Sequence, residues 1–272
     1  MKQKKSWLNN KTVVLTGVSG GLGKELAREL IFRYNANVIG IARNAEKLSN
    51  VKTEFNSDKF TGCLFDVSKN ANWEDFALNL AKKSIKIDVL INNAGIMPPF
   101  SRFENLTLET CENVINTNFF SSIYSVRNIL PLLKQSSSAA IINIASACAF
   151  SSVIGTSMYS ASKAALKAFT DSMREENKKH IYVAGVYPGF IKTELFRNQP
   201  LAGRIEKFAS DAKAIAKRIA HKIHKKRKHI VVGSDGKLLR FASIIMPNKT
   251  TPIMTKVLTG SGEENFKGLK DD

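Results

Sequence analysis

Tyr159 and Lys163 stand four positions apart, so on a helix a phenol and an ammonium share one face. A phenol with a pKa near about 10 is a poor acid or base at neutral pH, but an adjacent ammonium stabilises the phenolate and lowers that pKa. Such a pair alone is an ordinary feature of an amphipathic helix. Ser146 lies thirteen residues upstream, just past the apolar run Ile141 to Ile144, and adds a hydroxyl where a buried strand would end. Together the three side chains suit proton transfer. A second chemical signal comes much earlier, in Thr16-Gly17-Val18-Ser19-Gly20-Gly21-Leu22-Gly23. Glycines allow a tight turn and close backbone approach to a pyrophosphate, whose charge meets the free N–H groups of a following helix. The loop is not a Walker type, because the spacing differs and Lys24 is followed by Glu25 rather than by Ser or Thr.

The elements that must carry these groups follow from hydrophobic rhythm. Short apolar runs (Val13–Leu15, Val38–Ile41, Gly62–Phe65, Val89–Ile91, Ile141–Ile144, Val183–Val186) alternate with helical patterns. Those patterns are a stripe at Leu22, Leu26, Leu30 and Tyr34, then Ala45 to Phe55, a helix through Trp73, Phe76 and Leu80, Leu108 to Val126, and Ser157 to Glu176. Runs without polar alternation suit strands buried on both faces, joined by right-handed helical crossovers. The expected fold is α/β: a Rossmann-type doubly wound parallel sheet of about seven strands with helices on both faces. A single domain is expected over residues 1–272. Beyond Gly189 the rhythm loosens into a stretch expected as a substrate lid (190–210), a basic helix from about Asp211 to Lys226, a strand His229 to Gly233, and a tail extension (236–272).

In chain order the motifs are TGVSGGLG (16–23), Asp66-Val67, NNAG (92–95), Asn118, Ser146, YSASK (159–163) and YPGFIKT (187–193). With its GxxxGxG loop spacing, this set resembles the short-chain dehydrogenase/reductase family over residues 11–235. The resemblance implies a nicotinamide cofactor held by Gly17, Ser19, Gly21, Leu22, Gly23, Asp66, Val67, Asn93, Ala94, Gly95, Pro188, Gly189, Ile191 and Thr193, with Tyr159 and Lys163. It implies that Tyr159 exchanges a proton with the oxygen of an alcohol or ketone while Ser146 holds that oxygen. Lys163 would also bond the nicotinamide ribose, and Asn118 would position a water in the proton relay. A homodimer or homotetramer is the family expectation.

Cofactor choice is read from charge. The second strand ends Ile41-Ala42-Arg43, where an NAD site usually carries a carboxylate for the ribose 2′-hydroxyl. Ala42 removes that repulsion, Arg43 can pair with a 2′-phosphate, and Ser19 adds a donor, so NADP(H) is expected. Phe190, Phe196, Leu201 and Phe208 in the lid, with Phe241, Ile244, Ile245 and Met246 in the tail, favour a bulky lipophilic substrate such as a hydroxysteroid. The same residues could pack a lid or a subunit interface. A 3-oxoacyl-type or small-carbonyl reductase is the alternative, and the long tail counts against it. Lys and Arg number 41 against 23 Asp and Glu, a net charge of +18. A lysine-rich solvated surface is the plain account, and weak association with an anionic membrane is also open. The run Lys222 to Lys228 contains His221, His224 and His229 nearby but no carboxylate or cysteine, so no metal is expected. A non-catalytic NADP(H) sensor or nucleic-acid binder on the same fold is the rival class, against which Asn118, Ser146, Tyr159 and Lys163 all speak. Scattered Cys63, Cys111 and Cys148 and the lack of an apolar leader point to a reducing, cytoplasmic setting.

Overall fold

The computed structural model describes residues 6–193 and 209–260, together with Phe266 and Leu269. Seven parallel strands form one sheet: β1 (Thr12–Thr16), β2 (Asn37–Ala42), β3 (Phe60–Leu64), β4 (Val89–Asn92), β5 (Ala140–Ile144), β6 (Tyr182–Pro188) and, after two short strands, β9 (His229–Val232). Their spatial order is β3-β2-β1-β4-β5-β6-β9, so the chain reverses its winding between β1 and β4. That is the switch point at which crevices open outside the strands' carboxyl ends. In register, Thr12 faces Asn37, Val13 faces Val89, and Asn92 faces Asn143.

Alternation along each strand sorts the core into two layers. Val13 and Leu15 of β1 face one side, against Leu26 and Leu30 of α1 (Gly21–Tyr34). Ile215, Ile219 and Ile223 of α7 (Ala212–His224) pack into this layer, at the i, i+4, i+8 positions of an otherwise basic helix. Val14 faces the opposite layer, with Trp73 and Phe76 of α3 (Asn70–Lys82), Ile129 and Leu133 of α5 (Ser121–Leu133), and Met173 of α6 (Ser157–Glu176). Burying a side chain of this size contributes about 1.5–3 kcal/mol, and the two layers fix the sheet's strand ends relative to one another.

The remaining helices are α2 (Ala45–Phe55) and α4 (Leu108–Ile115), with α8 (Ser234–Ile245) and α9 (Thr250–Thr259) following β9. The helix expected over Leu108 to Val126 is divided: α4 passes through a π-helical turn, Asn116–Phe120, into α5. The expected lid begins with β7 (Ile191–Lys192), paired with β8 (Ser210–Asp211). Phe196, Leu201 and Phe208 lie outside the described residues. The tail, expected only as an extension, folds into two helices. Phe241, Ile244, Ile245 and Met246 are solvent-exposed on α8 and do not line the cavity described below, which corrects their reading as substrate contacts. Among the described residues no helix is long and apolar enough to cross a membrane.

Candidate active site

The carboxyl ends of β1, β4, β5 and β6 converge on one cavity of about 630 Å³. All the residues expected to hold a cofactor line it: Gly17, Ser19, Gly21, Leu22 and Gly23 after β1, Arg43 after β2, Asp66 and Val67 after β3, Asn93, Ala94 and Gly95 after β4, and Pro188, Gly189, Ile191 and Thr193 after β6. Ser146, Tyr159 and Lys163 line it as well, whereas Asn118 is buried behind the wall.

The glycine loop has the shape its composition requires. Gly17 is left-handed at φ +74°, a conformation that costs other residues strain. A Cβ on Gly23 would lie 2.0 Å from the Gly17 carbonyl oxygen, so only glycine lets α1 start this close to β1. Thr16 ties this loop to the next motif. Its Oγ1 accepts from the N–H groups of Asn93 and Ala94, each at 2.9 Å. Asn93 returns the contact, its Nδ2 donating to the Thr16 carbonyl at 3.0 Å. The Asn93 side chain therefore braces the protein's own backbone at the cavity's edge.

At one end of the cavity Arg43 is exposed, and Asn44 caps α2 by accepting from the Lys47 N–H at 2.8 Å. Lys47 lines the same end. Two cations and a helix N-terminus thus face one place, a donor set matched to a phosphate. Lys47 escaped the sequence reading, because a lysine in the first turn of a surface helix carries no signal of its own.

At the other end α6 presents Tyr159 and Lys163 one turn apart, opposite Ser146. Lys163 Nζ donates to the Ile144 carbonyl at 3.2 Å and lies 5.8 Å from the centre of the Tyr159 ring. Burial pushes the lysine down to about 8. Burial also pushes the Tyr159 phenol up, and the hydrogen bond to Ser146 offsets this only in part. The expected lowering of the tyrosine by its lysine is thus overturned in this arrangement: desolvation outweighs an ammonium turned toward a backbone carbonyl. The phenol therefore keeps its proton at neutral pH. Ser146 Oγ also accepts from the Cys148 N–H at 3.2 Å, which orients it at the end of β5.

Asn118 sits in the π-helical turn. Its Nδ2 donates to the Ile96 carbonyl at 2.9 Å and to Ser162 Oγ at 3.0 Å, while its Oδ1 accepts from the Ile96 N–H at 2.7 Å. The side chain fastens the loop after β4 to α6.

Asp235 was not visible from sequence. It opens α8, and its Oδ2 accepts from the Phe190 N–H at 2.6 Å, fixing the chain as it leaves β6. Burial pushes this carboxyl up. Met97, Phe100, Val153, Phe190, Leu239 and Met254 make the wall around the reacting end apolar. The histidines near the basic run lie elsewhere: His224 Nδ1 bonds Ser6 Oγ at 2.7 Å and His229 Nε2 contacts Arg174 Nη1 at 3.1 Å.

The sequence model of the short chain dehydrogenase family matches residues 11–202. The chain belongs to this family. Among its relatives, 11-beta-hydroxysteroid dehydrogenase 1A of Arabidopsis thaliana is 33% identical over 202 residues, 73% of this chain and 57% of that protein. The chain thus spans little more than half the length of that plant relative. The NADPH-dependent pterin aldehyde reductase of the same plant is 33% identical over 186 residues, covering 68% of this chain and 76% of that protein. In fold, the chain is similar to a short chain dehydrogenase from Burkholderia cenocepacia in complex with NADP, at a TM-score of 0.78 and 24% identity, covering 91% of this chain and 98% of that one.

Proposed function

We propose that this dehydrogenase reduces a ketone to a secondary alcohol with NADPH, and that its substrate is lipophilic. The observation that carries the reading is the joining of two ends in one cavity: Ser146, Tyr159 and Lys163 at one, the glycine loop with Arg43 and Lys47 at the other. The residues fit the cofactor. Gly17 and Gly23 let the loop pack tightly on Asn93 and on the start of α1, that helix start offers N–H groups to a pyrophosphate, and Arg43 with Lys47 suits a 2′-phosphate. When bound, NADPH supplies the hydride.

The chain's own residues then divide the remaining work. Ser146 donates a hydrogen bond to the carbonyl oxygen and polarises it. Tyr159, kept protonated by burial, gives its proton to that oxygen. Lys163 holds the ribose and stabilises the phenolate left behind, and the main chain of Asn118 holds the water that returns a proton. The wall of Phe100, Val153, Phe190, Leu239 and Met254 is apolar, and the carboxyl of Asp235 beside it is engaged by the Phe190 N–H, which supports a lipophilic ketone of hydroxysteroid type. The lid role of residues 190–210 and a homodimer or homotetramer in the cytoplasm belong to the same proposal.

The test is consumption of NADPH, followed by its absorbance, across ketones graded in size and polarity. Turnover that rises with apolar bulk is expected. Turnover confined to small polar carbonyls would replace the lipophilic reading, and none with any ketone would remove the reaction.

A further inference from the structure

Outside the active site, the largest unexplained feature is the outer surface of the two helices that follow the sheet. Leu238, Phe241, Ile244 and Ile245 of α8 are each more than 60% exposed, although a helix in a globular protein normally turns such residues inward. Steps of three and four place Leu238, Phe241 and Ile245 on one stripe, with Ile244 beside it. Ile253 and Val257, four apart on α9, are exposed as well. Isolated exposed leucines need no explanation, but six large aliphatic and aromatic side chains on two successive helices do.

Charge identifies what covers them. From Ala212 to Gly260 the sequence holds twelve lysines and arginines and a single acidic residue, Asp235. That carboxylate is turned inward onto the Phe190 N–H. Lys237 stands on the exposed side of α8, Lys249 at the corner between the helices, and Lys256 between Ile253 and Val257. Among the described residues none of these three forms a salt bridge. An apolar stripe bordered by lysines and, among the described residues, free of exposed carboxylates is the pattern of a helix lying in the headgroup region of an anionic bilayer. A second copy of this chain would bring the same lysines against one another, which disfavours it as the occupant.

We propose that the outer face of α8 and α9 docks this protein on an anionic membrane surface, with Leu238, Phe241, Ile244, Ile245, Ile253 and Val257 entering the interface and Lys237, Lys249 and Lys256 meeting lipid phosphates. The inner faces of the same helices supply Leu239 and Met254 to the active-site wall. Docking therefore sets the cavity beside the bilayer, where an apolar substrate would be concentrated. The docking itself does not depend on the reaction proposed above.

Flotation of the full-length protein with vesicles tests this, comparing phosphatidylcholine alone with phosphatidylcholine containing about a third phosphatidylserine. The wild-type chain is expected to float with the anionic vesicles and to be released by high salt. Phe241→Glu with Ile244→Glu should lower the bound fraction at least about tenfold, because each carboxylate must enter the headgroup layer. NADPH binding and circular dichroism are expected to be unchanged in that variant, since neither side chain touches the cavity. Lys237→Gln with Lys256→Gln should weaken binding to the anionic vesicles while leaving the far-ultraviolet spectrum intact. No flotation of the wild type overturns the proposal. So does flotation that survives both double variants, which would assign binding to the basic run Lys225 to Lys228. A dimer in sedimentation equilibrium that Phe241→Glu with Ile244→Glu converts to monomer, without lipid binding, would assign the face to a second copy.

Discussion

In the proposed function Arg43 and Ala42 decide between two cofactors that differ by one phosphate, and both positions can be tested. Arg43 is exposed, so its pairing with a 2′-phosphate is screened by water and salt. Arg43→Ala is therefore expected to weaken NADPH by about tenfold at low ionic strength and NADH hardly at all. Ala42→Asp should shift the ratio of kcat/KM for the two cofactors in the same direction, by repelling the phosphate and accepting from a ribose hydroxyl. Equal losses with both cofactors would show that Arg43 supports the loop rather than reads charge. Lys163 yields a pH prediction. Its pKa is pushed down, so the ammonium is present below about 8 and is lost as pH rises through that value. In the reductive direction kcat/KM should fall above about pH 8, and Lys163→Ala should abolish the bend along with most of the activity. A bend unchanged in Lys163→Ala would assign the titration to another group. The grouping at this scale was legible: Tyr159, Lys163 and Ser146 stand out by type and spacing, and they line one cavity. The sense of the tyrosine's shift was not, because it depends on burial and on the lysine's turn toward Ile144, neither of which spacing records.

Elements place these groups, and one carbon can displace them. Gly23→Ala puts a methyl 2.0 Å from the Gly17 carbonyl, so α1 must move away from the loop. The dissociation constant for NADPH, measured by fluorescence, is expected to rise by about a hundredfold or more while circular dichroism stays native. Unchanged affinity would mean that the loop does not carry the pyrophosphate. Asp235 joins α8 to the chain leaving β6. Asp235→Ala removes the carboxylate that accepts from the Phe190 N–H and so loosens the chain where it leaves β6. KM for the cofactor should rise several-fold with kcat less affected, and Asp235→Asn, which keeps an oxygen acceptor, should restore most of it. A loss confined to kcat in Asp235→Ala would instead tie Asp235 to the chemical step. The strands and most helices could be read from their apolar rhythm: Ala45 to Phe55 and Ser157 to Glu176 are helices with those bounds. The π-helical turn at Asn116–Phe120 could not, since it changes which backbone groups pair while leaving the hydrophobic period almost intact. The two tail helices were missed for a related reason. They carry apolar residues on both faces, Leu239, Met254 and Leu258 inward and Leu238, Phe241, Ile244 and Ile253 outward, which blurs the one-sided stripe that marks a core-facing helix.

For the whole molecule, the reversal of winding between β1 and β4 opens the crevice, and the strands on either side of it supply both halves of the site. The cofactor end is built by β1, β2 and β3, the reacting end by β5 and β6, with α6 laid across the latter. This separation predicts that the two functions can be broken independently. Tyr159→Phe removes one oxygen at the reacting end and nothing at the glycine loop, so it isolates the proton-transfer claim from cofactor binding. The decisive measurement is kcat for NADPH-dependent ketone reduction by Tyr159→Phe, beside the dissociation constant for NADPH in the same variant. Proton transfer of this kind supplies about 10²–10⁴-fold, so kcat should fall at least about a hundredfold while NADPH affinity stays within about threefold of wild type. A variant that keeps more than about a tenth of the wild-type kcat would contradict the account, because the proton would then come from another group.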